Sequence, residues 1–284
     1  MMIQEVRDLI ESGADVEIVL SLSYGKDSMA CIGALQHLGI PLHRIVTADV
    51  WATDDLSAEL PEVAEFKRKA DQIIFDRCGI EVEHYSCHRL HGVEKNRVTF
   101  QDGFYARRKR GKGVGHIYGF PIVKGHWCQK LKLGAVNSIP KSANISIQAL
   151  GIAADGYKRI KAHIERPEII LPLVELGWAE DYCGLWTQYS GLLSPSYSGS
   201  FRDGCWFCPF QGIDQLRRLW RTHPELWNLL LKWDADSEVT FKADGHTVRD
   251  YDERFRQEAD GVFRPNDRRF RWEHLNGDVQ LSWF

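Results

Sequence analysis

The sequence predicts an α/β protein built on a parallel sheet. Three observations lead there. Residues 16–86 alternate strand, helix, strand, helix, strand, the order that parallel sheets with right-handed crossovers produce. The first strand ends in "SYGKDS" (residues 23–28), where a turn feeds directly into a helix. The chain has 284 residues, 44% hydrophobic and 26% charged, which suffices for one large α/β domain with an appendage.

Each element has its own signal. Residues 16–23 form a short β-branched apolar run closed by a turn, as a buried strand does. Residues 28–38 read as a helix, stopped by Gly39 and then Pro41. Residues 43–50 are a second strand. Residues 60–79 are a long helix with apolar residues at helical spacing and a glycine stop, and 80–86 alternate as a third strand. The pattern then breaks. Residues 88–121 are basic, glycine-rich and without period, and read as an inserted mobile segment. Beyond it come a short helix (127–136), a fourth strand (145–154) and a helix with an acidic first turn (178–192). A loop (194–212) leads to a helical stretch with a proline interruption (213–233). The polar, aromatic tail yields no ordered reading.

The bulk numbers narrow the function classes. Net charge is −3, so any nucleic-acid contact must come from a local patch. No apolar run approaches the roughly 20 residues that span a bilayer, so no membrane partner is expected. The acidic, amphipathic "MMIQEVRDLIESGADVE" is not a secretion signal, and a cytoplasmic location is the default expectation. Seven cysteines, an odd number in a reducing compartment, speak against disulfides and make clustered cysteines candidate metal or cluster ligands.

The turn at 23–28 has the chemistry of an anion site. A strand tip entering a helix presents backbone N–H groups and the positive end of a dipole. Gly25 lets the chain turn tightly and lets phosphate oxygens reach the backbone. Ser21, Ser23 and Ser28 bring hydroxyls near the turn, Lys26 adds positive charge, and Asp27 can cap the helix or hold Mg²⁺ through water. The plain alternative is a capped helix after a β-turn. The G-x-x-x-x-G-K-[ST] loop is absent.

"SYGKDS" resembles the S-x-G-x-D-S signature of the PP-loop ATP pyrophosphatases and, within them, the phosphoadenosine-phosphosulfate (PAPS) reductase-like branch. Further segments are similar in the same order: "TADVWATDDLSAELPEVAEF" (47–66), "GFPIVKGHWCQKLK" (119–132), "LGIAADGYKR" (150–159), "LPLVELGWAEDYCGLW" (171–186) and "GLLSPSYSGSFRDGCWFCP" (191–209). The resemblance spans roughly residues 16–212. It implies a Rossmann-like, adenine nucleotide alpha-hydrolase-like fold over 1–212, followed by a small helical or irregular extension over 213–284. It implies nucleotide phosphates on Ser23, Tyr24, Gly25, Lys26, Asp27 and Ser28, with adenine near Ala48 and Asp49. Gly151, Asp155 and Arg159 would also contact the nucleotide, which is ATP with Mg²⁺ or a PAPS-like adenylyl sulfate.

Cys205 and Cys208 form a C-x-x-C turn, which suits a tetrahedral metal, a corner of an iron–sulfur cluster, or a redox dithiol. In the family the segment carrying Cys128 faces the same site, and Cys183 lies on the helix just before the C-x-x-C. Together the four thiolates at 128, 183, 205 and 208 could hold [4Fe–4S], with zinc as the alternative and a buried core residue as the alternative for Cys183. Cys31, Cys78 and Cys87 read as core or incidental.

The chain also departs from that branch. The sulfonucleotide reductases finish with a cysteine-bearing tail, and here no cysteine follows Cys208. Ala153 stands where arginine is usual and Gly156 where glutamate is usual, while Asp155 and Arg159 remain. "ARRKRGKGVGH" (106–116) suits a nucleic-acid backbone, with Phe104, Tyr105 and Tyr118 for stacking, or a lid over phosphates, or a solvated loop. Lys124 and Lys130 flank Cys128 and are candidate phosphate contacts. His84, His88, His91, His116 and His126 make no metal spacing and read as surface or satisfied polar residues. The expected function is nucleotide activation and sulfur transfer, with PAPS reduction and a non-catalytic nucleotide- or nucleic-acid-binding role as alternatives. An oligomer is compatible with all three.

Overall fold

A computed structural model describes residues 1–87, 98–111, 113–122, 127–137, 139–197, 204–267 and 270–276. His88, His91, Lys124 and His126 lie outside the described residues. The strands are β1 (Val16–Ser21), β2 (Arg44–Asp49), β3 (Val82–Ser86), β4 (Ile145–Leu150) and β5 (Ile169–Ile170). The helices are α1 (Ile3–Glu11), α2 (Lys26–His37), α3 (Pro61–Cys78), α4 (Phe100–Tyr105), α5 (Gln129–Asn137) and α6 (Tyr157–His163). They continue with α7 (Pro172–Glu175), α8 (Glu180–Tyr189), α9 (Ile213–Thr222), α10 (Pro224–Asp236) and α11 (Val248–Ala259). Among the described residues no helix is long and apolar enough to cross a membrane.

The five strands form one sheet in the order β3-β2-β1-β4-β5, and every pairing is parallel. The α/β expectation with a parallel sheet is therefore the observed architecture. β1 is the central strand, buried over Ile18–Leu20 and paired along its whole length with β4, from Val16 opposite Ile145 to Ser21 opposite Leu150. That is why Ile18–Leu20 is an unbroken apolar run rather than an alternation. α3 starts on Pro61, whose fixed φ suits a first helical position, and stops at Gly79 in the left-handed region, φ 68°.

The chain divides into two compact units: Met1–Phe100 with Lys130–Asp203, and Gln101–Gln129 with Gly204–Phe284. The sheet belongs to the first. Its core joins Ile18, Leu20, Met29, Ile45, Ile74 and Ile147. This division differs from the expected boundary at 212, and the reason is aromatic packing. Trp206 and Phe207, the middle of the cysteine turn, are buried in the second unit. Trp206 stacks on Trp233 at 5.5 Å, and Phe104, Phe120 and Phe241 complete the cluster. The turn is thus core to the helical unit. In that unit Arg217 and Arg254 both donate to the buried Glu258, at 2.5 and 3.0 Å.

Residues 106–118 are more ordered than their lack of period implied. Arg107 and Ile117 face each other in an antiparallel bridge; the Arg108 amide donates to the His116 carbonyl, and the Gly115 amide donates back to the Arg108 carbonyl. Phe104 is fully buried and so unavailable for stacking on a base.

In the first unit α2 is buried along Ser28–Leu35 because the sheet covers one side and α8 the other. Gly33 is the closest approach: a Cβ there would lie 2.3 Å from the Trp186 ring. Gly33→Ala is expected to destabilise the first unit by about 1–3 kcal/mol through overpacking. A urea midpoint shifted to lower concentration, at unchanged slope, checks it.

Candidate functional site

β1 has β2 on one side and β4 on the other. The chain leaves β1 toward β2 and leaves β4 toward β5, so the two following segments part above the sheet. A crevice opens there, at the carboxyl ends of the strands, the place where open parallel sheets bind ligands. One wall is the turn 22–25 leading into α2, and the other is 151–156 leading into α6. Gly151 lets the walls meet, because a Cβ on it would lie 2.4 Å from Ser28 Cα and 2.6 Å from Ser28 N. Its role is this close approach.

Inside the turn, Ser28 Oγ accepts from Ser23 N at 3.2 Å, lies 3.0 Å from Ser23 Oγ, and donates to the Gly25 carbonyl at 3.0 Å. Ser28 therefore closes the turn from below. The Lys26 amide donates to the Tyr197 hydroxyl at 3.2 Å. The expected division of labour between Tyr24 and Gly25 is reversed: Tyr24 takes the left-handed conformation (φ 59°), and Gly25 is extended. Backbone geometry does not require glycine at 25. A Cβ there would lie 3.5 Å from both Ser23 Oγ and Tyr197 Oη, so its absence leaves a space lined by two hydroxyls and the start of α2.

Four charges ring the mouth with alternating sign. Lys26 Nζ lies 2.7 Å from Asp27 Oδ1 and 3.2 Å from Glu180 Oε2. Arg159 Nη2 reaches Asp27 Oδ2 at 3.4 Å and Glu180 Oε1 at 3.5 Å. Asp155 accepts from the Glu180 amide at 3.2 Å and so fixes the start of α8. Burial would lower the Lys26 pKa, but Asp27 and Glu180 outweigh it and raise it, so the ammonium is secure. Asp27 does not cap α2, which has no side-chain cap; its carboxylate serves the two cations.

Behind the turn lies a second polar network. The buried Tyr24 hydroxyl donates to Asp71 Oδ1 at 2.5 Å and sits 3.2 Å from His84 Nε2. His84 Nδ1 contacts Asp49 Oδ2 at 2.7 Å, and its Nε2 contacts Asp71 Oδ2 at 3.1 Å. Lys67 Nζ bridges Asp49 Oδ1 at 3.1 Å and Glu59 Oε2 at 2.7 Å, 4.6 Å from the Tyr24 ring centroid. Burial would raise the Asp49 pKa; the His84 hydrogen bond and the Lys67 charge override it and hold it at about 2. Hydrogen bonds to Asp49 and Asp71 raise His84 to about 9.

Several expected site residues thus have structural duties. Tyr24 is 2% exposed, and its hydroxyl is committed to Asp71. Both Asp49 oxygens are engaged by Lys67 and His84, while Ala48 precedes it at the half-buried tip of β2. Ser21 Oγ accepts from Gln148 and ties β1 to β4. Ala153 is fully buried against Ala30, Ala34 and Leu173, where an arginine side chain has no room. Gly156 has its Cβ position 3.4 Å from Arg159 Nη2, which keeps that guanidinium uncrowded.

None of the seven cysteines forms a disulfide. Among the described residues no three His, Cys, Asp or Glu side chains come together as a metal-binding group. Cys183 belongs to the first unit, whereas Cys128, Cys205 and Cys208 belong to the second. Cys183 is fully buried among Ala30, Ala34 and Leu173. Burial pushes its thiol up to about 12, with the Asp27 charge adding to it. Cys205 and Cys208 flank a tight turn braced by Gln211 Nε2 on the Cys205 carbonyl at 2.8 Å, and by Lys242 Nζ on the Pro209 and Gln211 carbonyls, both at 2.6 Å.

The reading from sequence missed Tyr197, Glu180, Lys67 and Asp71. Glu180 had a signal, the acidic first turn of its helix. Tyr197 lies in the family-like segment 191–209 but was not singled out there, Lys67 and Asp71 lie outside the quoted segments, and only folding brings all three to the turn.

No family model matches the chain, and none of the curated proteins matches it. Among solved structures it is similar to the U34-tRNA thiolase NcsA from Methanococcus maripaludis with its [4Fe-4S] cluster, at 15% identity over 89% of this chain and 78% of that one. The TM-score is 0.33, too low to carry an argument about this protein.

Cys183→Ser puts a hydroxyl into an apolar pocket and is expected to cost about 1–3 kcal/mol of stability. It should leave the iron and zinc content of anaerobically purified protein unchanged. Denaturation together with metal analysis checks both.

Proposed function

We propose that the crevice above β1 and β4 binds an adenine nucleoside triphosphate with Mg²⁺ and promotes attack of an acceptor on its α-phosphorus, with pyrophosphate leaving. This is the chemistry of the PP-loop ATP pyrophosphatases that residues 23–28 resemble. One observation carries the reading: the side-chain-free space at Gly25, between two hydroxyls and the start of α2, lies at the sheet's switch point with Lys26 and Arg159 at its mouth.

The residues have separable duties. Amides of the α2 start and the Ser23 and Tyr197 hydroxyls would bind phosphate oxygens. Lys26 and Arg159 would exchange their carboxylate partners for phosphate and neutralise charge that grows as pyrophosphate departs. Asp27 and Glu180 would share Mg²⁺ with the phosphates, since that ion is commonly held by one or two carboxylates plus substrate oxygens. Ser28 would keep the turn closed. The tip of β2 at Ala48 and Asp49 offers main-chain groups to the adenine. In this reading the acceptor supplies the nucleophile, and it takes the adenylyl group as pyrophosphate leaves.

A sulfur-transfer role is a second reading, favoured by the location of Cys128, Cys205 and Cys208 in one compact unit. No step is assigned to a cluster. PAPS reduction is a separate alternative, and sulfite release from PAPS would identify it.

Lys26→Ala is expected to lower ATP-to-AMP turnover by about 10²–10³-fold, the usual effect of removing one charge-stabilising group. Far-ultraviolet circular dichroism should stay unchanged, because Lys26 lies at the mouth. Turnover equal to the parent protein's would place the phosphates elsewhere. Tight ATP binding without turnover would instead make the protein a nucleotide-binding module.

A further inference from the structure

The second network behind the turn has a property that its geometry imposes. Both ring nitrogens of His84 face carboxylate oxygens, Nδ1 toward Asp49 and Nε2 toward Asp71. A carboxylate accepts only, so both nitrogens must carry hydrogen, and only the imidazolium does. Every group facing His84 is acidic or tied to an acid. Asp49 comes from β2, Asp71 from α3, and the Tyr24 hydroxyl from the turn. Lys67 and Glu59 close the network beyond Asp49. Three carboxylates therefore share two cations, and one of the two is a histidine.

The same network holds the one strained residue of the turn. Tyr24 has φ 59°, a conformation that a side-chain-bearing residue rarely adopts. Its ring is buried beneath Lys67, and its hydroxyl is fixed by Asp71. Asp71 is in turn fixed by His84. Loss of the His84 proton leaves a lone pair against one of two carboxylates, and either the Asp49 or the Asp71 contact must open.

We propose that the His84 imidazolium is the positioning residue of the phosphate turn, acting through Asp71 and the Tyr24 hydroxyl, so that the turn keeps its ligand-binding shape only while His84 is charged. This rests on the nucleotide reading of the crevice. Free histidine loses its proton near 6.5, whereas His84 keeps its proton to about 9. The folded-state value is the higher one. The stabilisation is therefore complete below about 6.5 and is lost as pH rises through about 9.

The test measures two things from about pH 6 to about pH 10, in the parent chain, His84→Gln and Tyr24→Phe. One is hydrogen-exchange protection of the amides of residues 22–28 relative to those of Ile18–Leu20. The other is calorimetric affinity for Mg-ATP. In the parent chain both should fall at least about tenfold across the upper half of the range, the equivalent of one pK unit of coupling. In His84→Gln both should be low and flat with pH while Ile18–Leu20 stay protected. Tyr24→Phe removes one hydroxyl only and should behave in the same way, so it decides the matter if His84→Gln fails to fold. Parent-like protection and parent-like pH dependence in Tyr24→Phe or His84→Gln would overturn the proposal, whether or not ATP binds. If the turn responds to pH as expected but no variant, nor the parent, binds Mg-ATP, the positioning role stands and the nucleotide reading falls.

Discussion

The site depends on one unfavourable residue being held in place. Tyr24 occupies left-handed backbone space between a central strand and the helix that follows it. Most proteins would put glycine there. Here the glycine comes one position later, where the backbone is extended and its missing side chain leaves space instead. The strain at Tyr24 is offset by what its side chain does: a buried ring, a cation above it, and a hydroxyl bonded to a carboxylate. That places the rigid anchor of the turn on its inner side and leaves its outer side to hydroxyls and amides. A turn built on glycine at 24 would lack that anchor and would have to be ordered by its ligand.

The mouth of the crevice follows a different logic. Lys26 and Arg159 are each partnered by Asp27 and Glu180 before anything binds. Partly exposed pairs of this kind contribute little to stability, because water competes for them. Their value lies in readiness: two cations are held in position at low cost and can exchange partners. The carboxylates they would release are those of Asp27 and Glu180. The second unit obeys neither logic. Its cysteine turn is organised by Trp206 and Phe207 below and by Lys242 on its carbonyls. The shape of the C-x-x-C turn is therefore set by aromatic packing within its own unit.

The sheet could be read from the chain because its information is local. A continuous apolar run, a glycine stop after α3 and a turn of small polar residues each act within a few residues, so β1, α2, β2, α3 and β3 lay where their patterns placed them. The two-residue β5 and the short α7 escaped because tertiary packing, rather than a periodic run, makes them regular; α11 was overlooked although Thr247 and Asp250 cap it and Val248, Tyr251 and Phe255 recur at helical spacing. Of the site, the segment 23–28 and the pair Asp155 and Arg159 were legible as types of residue in a recognisable order.

Which of these residues face a ligand and which face the core was decided by the fold. Tyr24 and Asp49 read as binding residues, yet their side chains are committed to one another's neighbours through His84, Asp71 and Lys67. Cys183 read as a thiolate, yet α8 turns it into an apolar pocket. Tyr197 and Glu180 carried no strong signal and stand at the mouth. Composition and spacing determine that a strand ends in a turn of hydroxyls, glycine and lysine that leads into a helix, because that pattern belongs to consecutive residues. They cannot specify the partners of each side chain, because those come from residues as far as 171 positions away and are chosen by the packing of the whole unit.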